Sequence, residues 1–120
     1  MISGIIVFAH GSRVESANEA VRAAARDLVR VSGCEQVMAA FLELGEPDLE
    51  TAATRLVQNG VERLVIIPYF LTLGLHMERD LPPLVQRIVD SHPGLRVDVT
   101  PPMDGHAGLV EILADRFRDA

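Results

Sequence analysis

The chain has 120 residues, enough for one domain with a real core, residues 1–120, and too few for two. Its 17 acidic residues outnumber 11 basic ones, and the formal net charge of −6 argues against a nucleic-acid partner, because phosphate binding wants a basic face. All 11 basic residues are arginine, whose planar fork suits carboxylates, so a pocket for an acidic ligand would need local arginines working against an acidic whole.

Cys34 is the single cysteine, which excludes an intrachain disulfide and fits a reducing compartment. It reads either as a thiolate ligand or, more commonly, as a small buried hydrophobe. The apolar run Ile5–Ala9 is too short for the core of a signal peptide. No apolar run nears the ~20 residues of a membrane span. A soluble cytoplasmic protein without a membrane partner is expected.

In chain order, Ile5–Ala9 predicts a strand buried on both faces, ending in His10-Gly11-Ser12-Arg13. From Val14, apolar positions at 14, 17, 21, 24, 25 and 28 predict an amphipathic helix, stopped at Gly33. Gln36–Leu42 predicts the second strand, with Glu43 at its carboxyl end. Asp48 caps a helix that closes at Asn59-Gly60.

Arg63–Ile67 predicts a third strand, followed by the apolar stretch Pro68–Pro82, interrupted by Gly74 and carrying His76. Asp80 reads as the cap of a helix whose first turn holds Pro82 and Pro83. Leu95–Val99 predicts an exposed edge strand, and a final helix carries Leu109, Val110, Ile112, Leu113 and Phe117. Alternating strands and helices predict an α/β fold: a flavodoxin-like unit with a four-stranded parallel sheet in order 2-1-3-4 and helices on both faces.

Such sheets bind ligands outside the carboxyl ends of their strands, at the point where the winding reverses. That rule places His10 after strand 1 and His76 after strand 3 on opposite sides of one crevice. Each alone admits a structural reading, a hydrogen bond to a loop carbonyl. Together they suggest a divalent transition metal, since imidazole suits Co, Ni, Fe and Zn. Glu43 is a third polar group at the same edge, equally readable as a solvated carboxylate. His92 falls at the opposite end, in a surface turn. His106, near Asp104, sits at the functional end with a secondary claim. A phosphate site at the HGSR turn is a rival, although no multi-glycine nucleotide loop is present.

These motifs carry a resemblance. HGSR after the first strand, Phe41-Leu42-Glu43 at the end of the second, the Pro68-to-Pro82 pattern with Phe70, Leu71, Gly74, His76 and Asp80, and the late Gly105-His106 pair resemble the short sirohydrochlorin-type class II chelatases. Ala107 departs from the proline often found there, which leaves the role of His106 open. The resemblance implies a half-sized chelatase unit that pairs as a homodimer. It also implies insertion of a divalent metal (Co²⁺ favoured, Fe²⁺ or Ni²⁺ as alternatives) into sirohydrochlorin or a related polycarboxylated tetrapyrrole, with neither ATP nor another nucleotide. The metal is then substrate, not a resident cofactor. Carried over by position, His10 and His76 are the metal ligands and Glu43 the acid that aids proton removal. Ser12 and Arg13 complete the HGSR element, and Phe70, Leu71, Thr72, Leu73, Gly74 and Leu75 receive the flat ring. Two rivals from other classes are a non-catalytic metal or tetrapyrrole carrier and a phosphate-binding flavodoxin-like module.

Overall fold

The structure, a computed structural model, describes residues 1–120. Strands β1 (Ser3–Ala9), β2 (Gln36–Phe41), β3 (Arg63–Pro68) and β4 (Arg96–Val99) alternate with helices α1 (Glu15–Ser32), α2 (Leu49–Gln58), α3 (Leu75–Ser91) and α4 (Ala107–Asp119). The strands form one sheet in the order β2-β1-β3-β4, every pair parallel, as expected from the sequence.

Strand side chains alternate between faces, and the apolar runs divide accordingly. Val7, Ala9, Ala39 and Phe41 meet Val21 and Ala25 of α1 on one face. Ile6, Phe8, Ala40, Leu64 and Ile66 meet α2 and α3 on the other. Ala52 and Ala53, both fully buried, give α2 the small contact surface for a close approach to the sheet. Phe8 adds an edge-on contact with Phe70, their ring centroids 6.3 Å apart, a favourable geometry for aromatic pairs.

Two expectations shift. Val14 is exposed, and the inward face of α1 instead runs through Asn18, Val21 and Ala25. Helix α3 begins at Leu75 with Gly74 as its cap, so Asp80 lies inside the helix, where it pairs with Arg79 at 3.0 Å, and does not cap it. Pro82 and Pro83 consequently sit mid-helix. Neither ring can donate to the carbonyls of Glu78 and Arg79. All four residues are exposed, so water can take over those carbonyls and the helix continues.

Asp48 does cap α2, accepting the Thr51 N–H at 2.8 Å. Hydrogen bonding by Thr51, from its side chain first and its backbone second, holds the Asp48 carboxyl below the ordinary aspartate value. A depressed carboxylate stabilises the fold above its unfolded pKa and loses that contribution as pH falls through the folded value. Asp48→Ala is therefore expected to cost about 1 kcal/mol at neutral pH, with the deficit shrinking in acid. Urea unfolding of both proteins across that pH range measures it.

Candidate active site

The carboxyl ends of β1 and β2 are tied together beyond the last paired residues. Leu42 N–H donates to the Ala9 carbonyl at 2.9 Å and Glu43 N–H to the His10 carbonyl at 3.1 Å. The two backbones come so close at Gly11 that a Cβ there would lie 1.6 Å from the Glu43 carbonyl oxygen. Gly11 also adopts φ +97°, a conformation side chains resist.

This closeness brings His10 and Glu43 together, with Nε2 and Oε1 3.8 Å apart and both side chains more than half exposed. The opposite ring nitrogen, Nδ1, lies 3.3 Å from the Gly11 carbonyl. A carbonyl only accepts, so Nδ1–H is the donor in that contact, and Nε2 is the nitrogen turned toward the carboxylate. A divalent ion with bonds of about 2.1 Å can be held by both at once. It would arrive through open solvent.

His76 occupies the first turn of α3 and is exposed, with Nδ1 3.1 Å from Nη2 of Arg79. Arginine only donates, so Arg79 and an incoming metal compete for that lone pair. No three His, Cys, Asp or Glu side chains converge as a metal-holding group, and so His10, Glu43 and His76 do not close into a cage within one copy of the chain.

The apolar stretch near His76 divides in two. Phe70 and Leu73 pack against the core and Met77 is buried in it, whereas Tyr69, Leu71 and Leu75 stay exposed, Leu75 by 85%. Thr72 and Gly74 are exposed between them. A groove of about 490 Å³ runs beside α3, lined by Leu73, Met77, Leu81, Val85 and Val99 among others.

Ser12 is partly occupied, its Oγ accepting the Val14 N–H at 3.0 Å, while Arg13 is exposed. The loop after β4 joins the same end through Met103 N–H to the Phe70 carbonyl (2.9 Å) and Asp104 N–H to the Leu71 carbonyl (2.8 Å). His106 caps α4 there, its Nδ1 accepting the Gly108 N–H at 2.9 Å. His92, as expected, lies at the far end, where its Nε2 is 3.3 Å from the Thr54 hydroxyl. Cys34, half-buried, is also far from the site and contacts the Ser3 carbonyl. Sequence reasoning missed Asn18, which sits behind the His10 and Glu43 loops. The available signal was a polar residue one turn before Val21 on the inward stripe of α1.

The CbiX family model matches residues 4–120. The chloroplastic sirohydrochlorin ferrochelatase of Arabidopsis thaliana is 31% identical over 115 residues, covering 96% of this chain and 51% of that protein. The sirohydrochlorin cobaltochelatase of Sulfolobus acidocaldarius is 26% identical over 117 residues, 98% of this chain and 91% of its own. Among solved structures, the cobalt complex of the sirohydrochlorin chelatase SirB from Bacillus subtilis subspecies spizizenii superposes with a TM-score of 0.91 at 26% identity, over 99% of this chain and 51% of that one. The Marinobacter aquaeolei VT8 CbiX protein gives a TM-score of 0.83 at 29% identity over 98% and 95% of the two chains. The chain spans 51% and 57% of the first two curated relatives it matches, roughly half of each. With the family model running from residue 4 to residue 120, this chain belongs to the CbiX family of class II chelatases.

Proposed function

We propose that this protein inserts a divalent metal, Co²⁺ in preference to Fe²⁺ or Ni²⁺, into sirohydrochlorin or a closely related polycarboxylated tetrapyrrole, without a nucleotide. The observation that carries the reading is the His10–Glu43 pair, with Nε2 3.8 Å from a carboxylate oxygen at the strand ends. Relatives named for cobalt and iron insertion into sirohydrochlorin support the substrate class.

Metal insertion requires a site that binds the ion weakly enough to release it, plus an acceptor for the two protons leaving the ring nitrogens. Neutral His10, and His76 once it is free of Arg79, supply the weak ligands. Glu43, within reach of the same ion, supplies the acceptor. Tyr69, Leu71 and Leu75 offer exposed apolar surface beside His76 for a flat ring, and the exposed Arg13 is the candidate partner for its carboxylates. The small number of converging donors favours an enzyme over a storage carrier, which would profit from a closed ligand set. Anaerobic mixing with Co²⁺ and sirohydrochlorin separates the two: an enzyme gives many products per chain, and a carrier stops at one. Glu43→Gln is expected to lower turnover by about 10²-fold, the scale of a general base, while cobalt affinity changes less. The reverse pattern would make Glu43 a ligand first.

The working unit in this reading is a cytoplasmic homodimer. The lone unpaired Cys34 suits a reducing compartment, and no helix is long and apolar enough to cross a membrane. Helix α4 is the candidate pairing surface. It has no buried residue, and Val110, Leu113 and Phe117, spaced along one face, are 67%, 68% and 83% exposed. Phe117→Glu is expected to convert a dimer into a monomer in sedimentation velocity. A wild-type protein that sediments as a monomer at assay concentration would contradict the pairing.

A further inference from the structure

The loops bearing His10 and Glu43 follow different strands, and one side chain grips both. Asn18, in the first turns of α1, is 1% exposed and is the one polar residue in the buried set. Its Oδ1 accepts the Ser12 N–H at 2.9 Å, and its Nδ2 donates to the Ser12 carbonyl at 2.8 Å and the Leu44 carbonyl at 2.9 Å. Glu15 Oε2 is a longer fourth contact at 3.3 Å. Ser12 lies two residues past His10, and Leu44 is the neighbour of Glu43.

The surrounding backbone is shaped to this grip. Leu44, whose carbonyl accepts from Asn18, takes φ +58°, a conformation that costs a bulky side chain something. Gly45 has no room for a Cβ, which would sit 2.9 Å from Cγ of Phe41 and 3.1 Å from Nδ2 of Asn18. An apolar residue would fill the slot without any hydrogen-bonding demand, as Val21 and Ala25 do farther along the same stripe. A buried amide is costly unless satisfied, and here its bonds are spent on the flanks of two candidate ligands. Arg22 supports the second loop independently, donating to the Glu46 carbonyl at 3.0 Å, but it does not touch the first.

We propose that Asn18 is a positioning residue that fixes His10 and Glu43 relative to one another, so that both can meet one divalent cation and the protons that leave the ring nitrogens as it enters. The proposal rests on the metal-insertion reading for its purpose, though not for its geometry. The test compares wild type with Asn18→Ala and the milder Asn18→Ser by amide hydrogen exchange and by turnover with Co²⁺ and sirohydrochlorin.

Exchange at the Ser12 and Glu43 amides is expected to quicken about tenfold, the scale of one lost hydrogen bond, with Ile6 and Leu64 unchanged. Turnover is expected to fall about 10²-fold through kcat, as for a misplaced catalytic pair, with KM for the tetrapyrrole little altered. Adding Asn18→Ala to Glu43→Gln should cause almost no further loss, because both changes disable one unit. Uniform acceleration of exchange, unchanged rates at Ser12 and Glu43, or losses that multiply in the double variant would each overturn the proposal. A wild type without turnover would count against the chelatase reading, while the exchange rates would still decide the role of Asn18.

Discussion

His76→Ala is expected to lower cobalt insertion by at least about 10²-fold while leaving the thermal unfolding curve unchanged. The separation of the two effects follows from where the imidazole sits. It lies on the exposed first turn of α3, and its hydrogen bond is to Arg79, itself at the surface. Removing such a group ordinarily changes stability by no more than about 0.5 kcal/mol. Loss of the proposed metal ligand is a larger matter, since even the partners that merely orient ligands are worth 10–100-fold in affinity or activity. Arg79→Ala provides the converse check. Freed of its competitor, the His76 lone pair should take cobalt more tightly, and a large loss of insertion would show that Arg79 serves the substrate instead. An unfolded His76→Ala protein would mark the residue as structural.

Gly11→Ala is expected to be among the most damaging single substitutions in the chain. The added methyl would fall 1.6 Å from the Glu43 carbonyl oxygen, a backbone atom that no rotamer change can move. The positive φ of Gly11 adds conformational strain. Relief requires the β1 and β2 loops to part, which sacrifices the Glu43-to-His10 backbone bond. A stability loss of about 3 kcal/mol or more is expected from strain and lost bonds together, measured by denaturant unfolding. Insertion should fall even in the fraction that remains folded, because the His10–Glu43 spacing depends on the same approach. Wild-type stability in this variant would mean that the loops separate freely, and that their spacing matters little.

The sheet was legible because its signals are local. Three short apolar runs and one alternating segment, Leu95–Val99, mark the strands, and their alternation with helical periodicity dictates parallel pairing. The position of His10 follows directly from the end of the first run, and that of Glu43 from the end of the second. Helix α3 was misread at its start because consecutive prolines usually open a helix. Here the helix has already made two turns when Pro82 arrives, and its unmatched carbonyls face water. The contrast between buried Met77 and exposed Leu75 depends on that start point, because it decides which of the following side chains share the inward face of the helix.

Asn18 was hidden for a different reason. A polar residue on an apolar stripe gives no indication of its partners, and those are 6 and 26 positions away in sequence. The unpartnered face of α4 was equally hard to foresee. Its apolar spacing resembles that of a packed helix, and only the tertiary arrangement reveals that nothing within the chain covers Val110, Leu113 and Phe117.

In the proposed metal insertion, His10 and His76 serve one ion at the carboxyl end of the sheet. X-ray absorption at the cobalt edge, on protein loaded with one equivalent of Co²⁺, tests this directly. Two imidazole nitrogens at about 2.1 Å are predicted for wild type, and one each for His10→Ala and His76→Ala. A cobalt shell that is the same in all three proteins would contradict it.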